Sequence, residues 1–218
     1  MEAQFPQASA PPPAYPVRYD VDYPDRELNR VTSLFRIFTV IPIAVVLGTV
    51  GAGTLTVTTG QARYSAAGAG GLLFFGPLLM ILFRKKYPRW WFDWNLELAR
   101  FQARVGVYFG LMTDTYPSTD EHQSVHLEVD YPNVERGLAR GMPLVKWFLA
   151  IPHYLVLIAL YIGAVFAVVG AWFAILFTGR FPRGLFDYLV GVGRWHWRVA
   201  GYAFLLVTDA YPPFRLAP

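Results

Sequence analysis

Residues 147–179 form an unbroken run of 33 residues without a charged side chain, and few features constrain a fold more. As one helix at 1.5 Å per residue the run would be about 50 Å long. A bilayer needs only about 20 apolar residues to cross roughly 30 Å of hydrocarbon. The rest of the chain is of the same character. Of its 218 residues 55% are hydrophobic and 16% charged, with a mean hydropathy of +0.33, whereas soluble domains carry about 25% charged residues. The chain therefore reads as mainly α, a polytopic membrane protein.

Two segments share one construction. Ala174–Trp195 (AILFTGRFPRGLFDYLVGVGRW) ends an apolar stretch, turns a basic Pro-Arg corner and begins an amphipathic stretch. Met80–Phe101 (MILFRKKYPRWWFDWNLELARF) does the same, so that Ile81, Phe83, Pro88, Arg89, Phe92, Asp93 and Arg100 correspond to Ile175, Phe177, Pro182, Arg183, Phe186, Asp187 and Arg194. A second anchor lies upstream. Val17, Tyr19, Val21 and Tyr23 alternate with Arg18, Asp20 and Asp22, and Val125, Leu127, Val129 and Tyr131 alternate with His126, Glu128 and Asp130. That is the period-two pattern of a strand with one buried face, stopped in each case by proline. The reading is two repeats of parallel topology, each a short cytoplasmic β-strand, a transmembrane helical hairpin and an amphipathic interfacial helix. The domain organisation follows: a Pro/Ala-rich disordered tail at 1–16, repeat 1 at 17–117, a linker at 118–124 and repeat 2 at 125–218. The matched Thr113-Asp114 and Thr208-Asp209 are expected to close each repeat beside its strand.

In the first repeat two spans fit, roughly 35–57 and 67–84, joined by a turn near Thr58–Tyr64. In the second, charge argues for folding 147–179 into a hairpin. Lys and Arg collect on the cytoplasmic side, and with two hairpins all of the 19 basic residues except Arg63 share one side. Gly163 and Gly170 are then places for the turn or for close helix contact. The expected location is the bacterial cytoplasmic (inner) membrane, multi-pass, with both termini cytoplasmic and no cleavable signal peptide.

The charged residues near the corners are the candidate polar sites. Asp93, Glu97, Arg100 and Arg104 recur at helical spacing, as do Asp187, Arg194 and Arg198. The plain reading is ion pairing along a solvated face; the functional one is contact with anionic lipid headgroups or between repeats. Arg84, Arg89, Arg180 and Arg183 sit at the expected cytoplasmic surface, where each basic charge is worth about 1 kcal/mol of attraction to anionic lipid. His153 follows Pro152 in the apolar run, where an ionisable group is a functional candidate, although a hydrogen-bonded structural role explains it more simply. The absence of cysteine excludes disulfides and thiolate chemistry. The histidines, at 122, 126, 153 and 196, show no metal-ligand spacing with acids, and no catalytic or cofactor-binding motif is present. A net charge of +4 is too weak to suggest nucleic acid.

The order Val-Asp-Tyr-Pro, Ala-Ile-Pro-His, Trp-Phe-Ala-Ile-Leu-Phe-Thr-Gly-Arg-Phe-Pro-Arg-Gly-Leu-Phe-Asp, Arg-Trp and Thr-Asp-Ala-Tyr-Pro-Pro-Phe resembles the bacterial membrane domain-of-unknown-function family 4389. The resemblance is close over Val125–Phe214 and weaker over Val17–Pro117, where Arg84-Lys85-Lys86-Tyr87 replaces the Thr-Gly-Arg-Phe corner. It implies a membrane protein and carries no chemistry. The expected function is a non-enzymatic accessory or scaffold subunit of a larger membrane assembly, without cofactors. Its expected partners are membrane lipids and other membrane subunits or a second copy of itself. The alternative is a lipid-binding or small-solute transport protein that uses a cleft between the repeats, which Asp93, Arg100, Asp187, Arg194 and His153 would line.

Overall fold

A computed structural model describes residues 15–50, 54–59, 62–67 and 76–218. The tail expected at 1–16 lies largely outside them. Strand β1 (Val17–Val21) leads to α1 (Arg30–Leu34) and α2 (Arg36–Val50), then to strands β2 (Thr54–Thr59) and β3 (Ala62–Ala67). A helical turn α3 at 76–84, π-helical over Met80–Arg84, precedes α4 (Arg89–Phe109). The second half runs β4 (Val125–Val129), α5 (Val134–Gly137), α6 (Met142–Leu149), α7 (Ile151–Thr178) and α8 (Arg183–Ala203).

The two strands read from alternation exist, each two residues shorter than the pattern, and they pair with each other. β1 and β4 form an antiparallel ribbon in which Tyr19 faces Leu127 at the centre and Val17 faces Val129. Directly opposite residues share a face, so Val17, Val21, Leu127 and Val129 make one buried side. Arg18, Asp20, His126 and Glu128 make an exposed side, where Arg18 binds Glu128 at 3.1 Å and Asp130 at 2.8 Å.

Each strand packs against the long helix of the other half. On the β1 side, Gly193 and Gly201 let α8 approach. A Cβ at Gly201 would stand 2.5 Å from Val17 Cγ2, and a Cβ at Gly193 would overlap the Tyr19 ring. Arg194 Nε donates to Tyr19 O at 3.1 Å, and Arg100 Nε on α4 donates to Leu127 O at 3.0 Å. Tyr23 Oη donates to Phe181 O and Tyr131 Oη to Tyr87 O. Arg183 lies 3.7 Å from the centre of the Tyr23 ring, as Arg89 lies 4.8 Å from that of Tyr131. The halves are thus held together by an exchange of strands.

The hairpin expected over 147–179 is not formed. After a break at Ala150, α7 continues as one 28-residue helix, about 42 Å long at the usual rise. Between Tyr154 and Phe177 there is no Pro, Asn, Asp or Ser to seed a turn. Gly163 and Gly170 instead serve close contact: a Cβ at Gly163 would strike the Tyr188 hydroxyl, and one at Gly170 would touch Leu185 at 3.7 Å. The helix ends at Gly179, φ 75°, a left-handed C-cap that glycine adopts without Cβ strain. At the corresponding end of α3 Lys85 takes φ 49°.

The two spans expected in the first half also need correction. α2 ends at Val50, and Thr54–Thr59 pairs with Ala62–Ala67 as an antiparallel hairpin. Pro42 and Pro88 are separated by 46 positions, Pro152 and Pro182 by 30. The β2–β3 hairpin lies within that surplus, interrupting in the first half what is one continuous helix in the second. Among the described residues, α7 alone is long and apolar enough to cross a membrane.

Candidate functional site

The charged residues near the apolar helices are spent on structure, and they are spent in matched pairs. Arg36, at the start of α2 and 2% exposed, bonds Asp114 at 2.7 Å. Its guanidinium also donates to Thr113 O at 3.0 Å and stands 4.0 Å from the Tyr108 ring centre. At the corresponding place Lys146, fully buried, bonds Asp209 at 2.8 Å and Thr208 O at 2.8 Å, with the Tyr202 ring centre 5.2 Å away. Each aspartate also accepts a backbone N–H at 2.7 Å, Asp114 from Asn29 and Asp209 from Ala139. The Thr-Asp pairs therefore tie down the entry to the apolar helices, while the residues directly before them, Met112 and Val207, pack in the cores that hold Val21 of β1 and Val129 of β4. Burial pushes the Lys146 ammonium pKa down, while Asp209 pulls the other way.

Two more arginines hold the irregular segments that follow α4 and α8. Buried Arg104 donates to Ser118 O at 2.9 Å and Thr119 O at 3.1 Å, and buried Arg198 donates to Arg215 O at 3.1 Å and Ala217 O at 2.9 Å. Burial lowers the Arg198 pKa, and its neighbours Arg215 and Arg194 lower it further. These buried cations on carbonyls satisfy the rule that an interior charge is hydrogen-bonded.

The residues expected to gather at one polar site are dispersed. Asp93 pairs with Arg89 at 3.3 Å along the exposed side of α4, and Arg100 pairs with Glu97 at 2.6 Å. Arg194 reaches Asp20 at 2.7 Å. Asp187 and Arg84 are exposed, and Arg180 lies 3.9 Å from Glu27 at the surface. His153 is fully buried near the start of α7, where its Nδ1 accepts Trp195 Nε1–H at 3.0 Å and its ring stacks on Phe214 with centres 4.0 Å apart. Two open surface cavities, of about 640 Å³ beside Lys85, Tyr131 and Glu135 and about 410 Å³ beside Asp22, Asp25 and Thr113, are lined by none of the five cleft candidates. Among the described residues, the five cleft candidates do not share one cavity.

What the structure does assemble is an apolar surface. Along α7, Leu155, Ile158, Ile162, Val165, Phe166 and Phe177 stand 57–78% exposed on one stripe. Only 17% of its most apolar window is buried, against a helix whose mean hydropathy there is 2.5. On α2, Ile37, Phe38, Ile41 and Val45 are exposed at 51–68%. Monomeric soluble proteins rarely expose contiguous apolar patches of more than a few hundred Å², so this surface is the candidate functional site. Sequence periodicity could not find it, because α7 is apolar all round and carries no stripe to read.

Comparison with known families gives one result. Residues 142–215, from α6 to the C-terminal segment, match a family described as Domain of unknown function (DUF4389). That stretch carries the α7–α8 pair and most of the exposed apolar stripe. No curated protein and no solved structure matches the chain.

Proposed function

We propose that this chain is a non-enzymatic accessory or scaffold subunit of the bacterial cytoplasmic membrane, built from two copies of one unit. The observation that carries the reading is the α7 stripe. A 28-residue helix with no charge, apolar outward and packed inward on a charged partner helix, requires a medium or partner as apolar as itself.

Several observations support the scaffold role. Arg36, Arg104, Lys146 and Arg198 are each consumed by carbonyls and carboxylates of the same chain, so they serve rigidity. The duplication is supported by the correspondence of contacts: Arg36–Asp114 with Lys146–Asp209, Arg100–Leu127 with Arg194–Tyr19, and Tyr131–Tyr87 with Tyr23–Phe181. Leu111 and Leu206, buried residues with φ 64° and 55°, occupy matched places after α4 and α8. The two copies would be related by a two-fold axis through the Tyr19–Leu127 centre of the ribbon.

The experiment is extraction of the tagged chain from membranes in mild detergent, followed by native mass spectrometry. The expected result is membrane fractionation and a stoichiometric complex with another membrane protein or with itself. A chain that fractionates as soluble, or a well-behaved monomer without partners, overturns the reading.

A further inference from the structure

Resting on the membrane assignment above, the geometry points to a mode of insertion: α7 and α2 lie in the plane of the bilayer surface, embedded in one leaflet, rather than crossing it. The molecule is built in layers. α8 meets the ribbon through Val190, Gly193, Trp197 and Gly201. It meets α7 through Leu185, Tyr188, Trp195 and Val199. At 100° per residue these are opposite faces of one helix. α7 in turn presents His153, Leu157, Ala171 and Ile175 inward, and its outward stripe lies on the far side. The order through the molecule is charged ribbon face, ribbon, α8, α7, apolar stripe.

The first half repeats this order. α4 meets β4 through Ala99, Arg100 and Ala103 and meets α2 through Phe101, Val105 and Tyr108. The α2 stripe therefore also faces away from the ribbon. The division between polar and apolar surface therefore runs parallel to the helix axes, with the charge of the ribbon on one side and both stripes on the other.

A crossing α7 does not suit that arrangement. α8 runs antiparallel beside it, from Trp195 bonded to His153, through Tyr188 bonded to Leu160 O, to Leu185 against Gly170. Placing α7 along the membrane normal would carry α8 and the ribbon into hydrocarbon with it, exposing Arg18, Asp20, Glu128 and Asp130 to lipid. Intramembrane charges are rare and face protein or water. Lying flat, the same body keeps the ribbon in water and sinks only the stripes, as in-plane amphipathic elements do to a depth of about 5–10 Å. Lipid rather than a second protein is the occupant that fits, because the exposed basic side chains of Arg84, Arg89, Arg180 and Arg183 and the exposed Trp90 lie at the corners that follow α3 and α7. Such residues complement anionic headgroups and interfacial depth.

The chain has no cysteine, so single cysteines can report sidedness directly. Gly141→Cys, in open space before α6, and Arg180→Cys, exposed after α7, bracket the helix. In sealed membrane vesicles of known orientation, a membrane-impermeant maleimide should label both from the same side and neither from the other. Nitroxides placed by Leu155→Cys, Phe166→Cys and Phe177→Cys should show one shallow, nearly constant depth from oxygen and nickel-chelate accessibility. Labelling from opposite sides, or a depth maximum at Phe166, overturns the in-plane arrangement while leaving the membrane assignment intact. Recovery of the protein in the soluble fraction overturns both, and is read before any labelling.

Discussion

Gly201 offers the sharpest test of the layered packing. It lies in the last turn of α8, where a Cβ would stand 2.5 Å from Val17 Cγ2 and 3.5 Å from Val207 Cγ2. Carbon pairs settle near 3.5–4.0 Å, so Gly201→Ala requires a displacement of about 1 Å. Neither side yields easily, because Val17 is 2% exposed and its strand is fixed in register against Val129. Overpacking costs about 1–3 kcal/mol, offset by roughly 1 kcal/mol from the better helix propensity of alanine. The expected net loss is about 0–2 kcal/mol, or up to roughly 8 °C in thermal unfolding for a chain of this size. Val17→Ala alone removes two buried methyl groups and should cost about 2–3 kcal/mol. In the double variant the new methyl at 201 occupies the space vacated at 17, so adding Gly201→Ala to Val17→Ala should be neutral or mildly stabilising. The assay is thermal unfolding of the four proteins in one detergent. Additive losses in the double variant would refute direct contact between α8 and β1, and with it the exchange of strands between halves.

Two further outcomes concern the buried cations. Arg36→Met should cost about 3–5 kcal/mol, since it breaks a buried ion pair and leaves the Asp114 carboxylate without its cation; adding Asp114→Leu should recover part of that loss, and denaturant unfolding of the single and double variants checks it. Lys146 gives a pH dependence. Its folded pKa lies below the ordinary 10.5, so between those two values the unfolded chain holds more protons and stability rises with pH. The contribution is fully present above 10.5 and lost as pH falls through the folded value. Lys146→Met should therefore show a shallower rise of stability on the alkaline side than the parent protein, measured as melting temperature against pH; an equal slope would show that Lys146 does not titrate there.

The elements that local chemistry dictates were legible. Alternation at Val17–Tyr23 and Val125–Tyr131 marked both strands, because each has one wet and one dry face. The Pro-Arg corners marked the starts of α4 and α8, which begin at Arg89 and Arg183 directly after proline N-caps. The matched segments around Ile81 and Ile175 identified positions that proved to be fully buried. The residues that were misjudged were those whose role depends on what lies opposite. Gly163 could be read as a turn or as a contact point, and only the Tyr188 hydroxyl against it decides. Asp93, Arg100, Asp187 and Arg194 do not meet in one cleft, but Arg100 and Arg194 each bond a strand of the opposite half, a contact between halves of the kind expected of them. Arg36 and Lys146 were missed as a pair, although the recurring Thr-Asp at 113–114 and 208–209 was the signal that could have found them.

Composition and periodicity by themselves determined that the chain is helical, carries two similar segments and has more apolar surface than its charges can cover, since these follow from residue type and spacing alone. Tertiary structure decided where that surface points. A run apolar on every side contains no direction, and the distribution of basic residues favours a hairpin that α7 does not make. Packing supplies the direction: α8 covers one side of α7, the ribbon covers the other side of α8, and the exchange of strands fixes that order. The stripe that remains exposed is the side with nothing against it, a property of the assembled layers that no single segment carries.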